Sequence, residues 1–105
     1  MDHLKYIVVL SRGLECPILF PALLDHADVA GGFHGVISAG FASFRESEEA
    51  DGEARFSVSC WGKSTTLEAN PRPGRTLADF GDGFSSRPDE DAALIKRELE
   101  RPHRY

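Results

Sequence analysis

The sequence predicts an α+β fold in the order β-β-α-β-β-α: an antiparallel sheet of about four strands in a small single domain, residues 1–105, with a C-terminal helix packed on one face. Three observations lead there. Residues 55–60 alternate, Phe56, Val58 and Cys60 against Arg55, Ser57 and Ser59, which is the period of a strand with one buried face. Residues 6–10, YIVVL, form an apolar, β-branched-rich run suited to a central strand buried on both faces. Residues 88–99 carry an amphipathic helical pattern, ended by Pro102.

The remaining elements follow in chain order. Ser11, Arg12 and Gly13 make a short connection in which Gly13 takes positive φ, so residues 14–20 return as a hairpin partner. Pro17 has no N–H and places that strand at an edge or a bulge. Pro21 suits a first helical turn, and a short helix over 21–30 would put Leu23, Leu24, Ala27 and Ala30 on one side and His26 in a partly exposed position. Gly31 and Gly32 stop it. A second hairpin begins at Val36, with VISAGFASF as its first strand, RESEEADGEA (45–54) as an acidic loop and ARFSVSCWGKSTTL (54–67) as its second strand. The first of these strands has apolar residues on both sides, so both its faces are expected to be partly covered.

Residues 68–87 are rich in Pro and Gly and have neither periodicity, so they read as a long ordered loop or a short irregular strand. Its length marks it as a possible binding segment, and its glycines let Phe80 and Phe84 reach the core or a partner. In the C-terminal helix Ser85 and Ser86 are capping candidates, while Asp89, Glu90 and Asp91 face the positive end of the dipole. Ala92, Ile95 and Leu99 form the buried stripe with Leu94 beside it. Burying Ile95 and Leu99 contributes about 1.5–3 kcal/mol each, which a helix of this length needs in order to form.

Composition limits the function classes. The chain has 41% apolar residues and seven Phe, too many for a disordered polymer. Seventeen acidic against 12 basic residues give a net charge of -5, which disfavours direct nucleic-acid binding and favours a partner with a basic surface. Two cysteines are too few for a disulfide scaffold, and the five-residue apolar run near the N-terminus is too short for a signal-peptide core or a membrane span. A cytoplasmic protein, with no membrane partner, is the expectation. An excess of Arg over Lys, with many Ala and Gly, points to GC-rich coding DNA and a bacterial or phage setting.

No motif specifies a reaction. His26, Asp28, His34 and Cys60 show none of the local pair spacings that zinc sites use, and an EF-hand beginning at Asp79 fails because Gly81 and Gly83 stand where oxygen ligands are needed. The DFG at 79–81 lacks every other kinase element. Cys16 and Cys60 fall in strands, where a buried thiol has a raised pKa. Neither spacing nor motif selects a catalytic carboxylate from Glu15, Asp25, Asp28 and Glu68. No cofactor is implied. The binding features are Glu46, Glu48, Glu49, Asp51 and Glu53 in the acidic loop, an electrostatic lure for a basic surface, and Trp61 on the polar face of its strand.

The segments PILFPALLDHADVA, VISAGF, SCWGKSTTL and SRPDEDAALI, in that order, resemble a group of short uncharacterised proteins encoded in proteobacterial genomes and prophages. The acidic loop and the GRTLADFGDGF insertion are its less typical parts. The resemblance implies a setting and brings no catalytic residues with it. The leading expectation is a small non-enzymatic acidic binding protein, phage or mobile-element encoded, that modulates a host protein, for example as an anti-defence inhibitor. Two alternatives stand beside it: a self-associating module in which Trp61 and an edge strand build a homodimer, and a small hydrolase or nucleotide-acting enzyme using His26 with Asp25 or Asp28.

Overall fold

The computed structural model describes residues 3–31, 35–48, 54–69 and 83–100. Its elements are β1 (Leu4–Ser11), β2 (Leu14–Phe20), α1 (His26–Ala30), β3 (Val36–Glu48), β4 (Ala54–Trp61), α2 (Thr65–Ala69) and α3 (Pro88–Glu100). The four strands form one antiparallel sheet in the order β2-β1-β3-β4, and α3 packs against it, which is the expected α+β domain with one short helix added. No helix among the described residues is long and apolar enough to cross a membrane.

Local chemistry explains most boundaries. Arg12 and Gly13 both have positive φ, 54° and 80°, as a two-residue type I′ turn requires. Strand β1 is central, with Tyr6, Ile7 and Val8 fully buried, and β2 is the edge strand that Pro17 called for. Directly paired residues share a face of the sheet. One face therefore presents Tyr6, Val8, Ala42, Val58 and Cys60 to Ile95 of α3; the other presents Ile7, Val9, Phe20, Val36 and Ala39 to Ala30 of α1 and Leu67 of α2.

Four expectations need correction. The helix expected over 21–30 is confined to His26–Ala30. Leu24 N–H closes a turn on the Pro21 carbonyl, and Leu23 and Leu24 are exposed rather than packed. The strand expected to run to Leu67 ends at Trp61. Ser64 accepts the Leu67 N–H through its hydroxyl at 3.0 Å and caps α2. The acidic loop starts later than expected, because β3 continues through Arg45, Glu46 and Glu48. The C-terminal helix starts at Pro88, so Arg87 rather than Ser85 or Ser86 stands directly before it, and the Arg87 N–H donates to the Asp91 carboxylate at 2.8 Å, one turn on. Of the long loop, residues 70–82 lie outside the described residues; Lys63 pairs with Ser85, and Phe84 packs against the core beside Leu67.

Candidate partner-binding face

β3 is long because its first half pairs with β1 and its second half extends past β1, paired on one side only, with β4. Residues 43–48 and 54–59 thus form a two-stranded arm. Its alternation sorts the side chains. On the α3 face lie Phe44, Glu46, Phe56 and Val58; on the opposite, outer face lie Ser43, Arg45, Ser57 and Ser59, continued by Phe41 and Trp61 at the base.

Trp61 is 41% exposed and has firm support. Its ring stacks on Phe41 at 6.3 Å between centroids, and the exposed ring of His3 sits edge-on to both, at 5.2 and 5.8 Å. Behind Phe41 comes His26, edge-on to Phe41 and to Phe20 of β2. Five rings therefore cross the sheet in contact, and Trp61 is the outermost on the β4 side. Beside it, Ser43, Arg45, Ser57, Ser59 and the edge of Phe44 line an open groove of about 580 Å³. Three hydroxyls and one guanidinium give it hydrogen-bonding capacity for a carboxylate or a peptide backbone.

The expected site residues divide. Trp61 lies on the outer face, as alternation required. Glu46 is exposed but points to the α3 face, five positions along β3 from Phe41, the cross-strand partner of Trp61. Glu48 is described only as backbone of β3, and Glu49, Asp51 and Glu53 lie outside the described residues. Phe41, His3 and the outer-face position of Arg45 were not singled out by the sequence reading. Carrying the period of two through Arg45 and Glu46, instead of ending the strand at Phe44, would have separated the cation from the acid.

The residues considered for chemistry are committed elsewhere. His26 is 3% exposed, not partly exposed: its Nε2–H donates to the Gly40 carbonyl at 2.8 Å. Burial pushes its pKa down; the Gly40 carbonyl works against that shift and nearby Lys5 adds to it. Asp25 and Asp28 are exposed. Cys60 is buried, and desolvation, with Asp91 adding, pushes its thiol up to about 11. Among the described residues no three His, Cys, Asp or Glu side chains gather as a metal site.

The polar cluster that the structure does assemble is internal. Asp91 is fully buried and accepts hydrogen bonds from Tyr6 Oη at 2.5 Å, Ser38 Oγ at 3.0 Å and Arg87 Nε at 3.0 Å, while Arg87 also reaches Glu15 at 2.9 Å. Burial, reinforced by Asp91, raises the Tyr6 phenol far above its usual range. For Arg87 burial opposes the charge, yet Glu15 and Asp91 outweigh it and hold the guanidinium above its ordinary value. The cluster ties α3 to β1, β2 and β3 on the α3 face of the sheet, whereas His26 packs against Phe20 and Phe41 on the other face. The chain matches no family model, no curated protein and no solved structure.

Proposed function

We propose that this chain is a small non-enzymatic binding protein, of a phage or mobile-element kind, that engages and modulates a bacterial host protein through the face built on Trp61. The observation that carries the reading is the exposed Trp61 ring held by Phe41 and His3. A large aromatic side chain that is immobilised before binding loses little entropy on contact, and such residues dominate interface energies. Glu46 and the acids that follow it in sequence supply a second contact suited to a basic patch on the same partner. The enzymatic alternative is weaker because His26, its base, is enclosed by Phe20 and Phe41 and spends its N–H on a backbone carbonyl.

The immobilised 105-residue chain tests this against bacterial lysate. One specific partner is expected, with recovery reduced at least tenfold by Trp61→Ala and further by neutralising Glu46, Glu48, Glu49, Asp51 and Glu53 together. Recovery of no specific partner, or of one indifferent to both changes, overturns the proposal.

A further inference from the structure

The net charge of -5 suggests a basic partner everywhere, but the charged side chains that the described part of the arm places on the Trp61 face are cations. Arg45 is exposed beside three serines, and Arg55 follows on the same face, within the field of Glu100. Glu46 points to the other side. Aromatic and cationic groups on the outer face are separated by four positions of β3, from Phe41 to Arg45, or about 13 Å at about 3.3 Å per residue. An extended peptide has the same rise, so its residues i and i+4 fall on the same side and over these two positions.

We propose that the outer face of the β3–β4 arm holds an extended acidic peptide segment of the partner, with an apolar or aromatic side chain against Trp61 and Phe41 and a carboxylate against Arg45. This rests on reading the chain as a binding protein and names the chemistry of what that face receives. Ser43 and Ser59 lie between the two anchors and Ser57 beside Arg45, and they meet the peptide backbone with hydroxyls that both donate and accept. A nucleic-acid strand suits the face less well. Phosphate-backbone affinity grows with the number of charges neutralised, and among the described residues this face offers only Arg45 in the groove and Arg55 beyond it, on a chain that is acidic overall.

The test uses the full chain and a phage-displayed library of random twelve-residue peptides, followed by titration of the enriched peptides as synthetic probes. Trp61 is the single tryptophan, so its emission reports binding directly. The expected consensus is Asp or Glu four positions from an aromatic or aliphatic residue. Binding should change Trp61 emission and weaken at least tenfold in Arg45→Glu and less in Arg45→Lys, with urea midpoints matching the parent. No enrichment, enrichment of basic peptides, affinity unchanged in Arg45→Glu, or tighter binding of oligothymidylate than of any peptide would each overturn the inference. Basic peptides that are lost in Trp61→Ala but kept in Arg45→Glu would overturn it while leaving the Trp61 reading of function standing.

Discussion

Asp91 is a buried carboxylate surrounded by donors, Tyr6 and Ser38 from the sheet and Arg87 from the start of its own helix, the last of them shared with Glu15. Breaking such a cluster leaves charge and hydroxyls stranded without water, which costs more than the bonds themselves contribute. Asp91→Ala is expected to destabilise the domain by about 3–5 kcal/mol, and Tyr6→Phe by about 1–3 kcal/mol, both read from urea midpoints. The double variant should cost clearly less than the sum, since both remove the same bond. Additive costs would mean that the two residues act independently. His26 gives a pH signature. Its folded pKa lies below the usual 6.5, so as pH falls below about 6.5 the unfolded chain takes up a proton that the folded chain resists. Stability from this group is complete above that pH and declines below it. Denaturation at pH 7.5 and 5.5 should show the loss in the parent and a smaller one in His26→Gln; equal losses would assign the effect to other groups.

At the scale of elements, close approach sets a limit that composition hides. Gly40 sits where β3 passes the end of β4, and a Cβ there would stand 2.6 Å from the Trp61 carbonyl oxygen and 3.0 Å from Ser86 Cβ. Neither backbone nor helix entry can yield cheaply, so Gly40→Ala is expected to cost about 1–3 kcal/mol in overpacking strain and to shift Trp61 emission by moving the end of β4. A parent-like midpoint and spectrum would show that the two strands separate without cost. Elements whose signal is local were legible in the sequence: the 14–20 strand matches β2 in full, and the alternation of 55–60 and the Ile95 stripe lie where they were placed. What escaped was non-local. Asp91 reads as a dipole-facing acid because two of its partners, Tyr6 and Ser38, come from strands far away in sequence. Residues 64–67 read as the end of a strand, whereas Ser64 and contact with α1, through the Ala27 N–H to Thr66 Oγ1, select a helical turn over Thr65–Ala69. At the site, Trp61 was found by alternation, but the rings that hold it were not, since stacking across β3, α1 and the N-terminus leaves no trace in any one segment.

At the scale of the whole molecule the open sheet has two edges, and each is guarded differently. On β2 the guard is Pro17, which presents no N–H at mid-strand. On β4 it is α3, which packs chiefly along that strand and ends with Glu100 accepting the Phe56 N–H at 2.9 Å. A donor turned away from β3 and already taken cannot template a second chain, so the strand-to-strand homodimer has part of its edge occupied. Glu100→Ala should release that donor and produce concentration-dependent self-association in sedimentation velocity, while Glu100→Gln, which keeps an acceptor, should sediment like the parent. Acid should act like the glutamine and not like the alanine, because a protonated carboxyl keeps an acceptor oxygen. The hydrogen bond from Lys96, and then that from Phe56, holds the Glu100 carboxyl below its usual 4.5, so the charged form of the contact persists through that pH and only the charge assistance is lost as pH falls through the lower folded value. An alanine variant that stays monomeric at several hundred micromolar would sink the guard role of Glu100 and leave the bulk of α3 as the protection of the β4 edge.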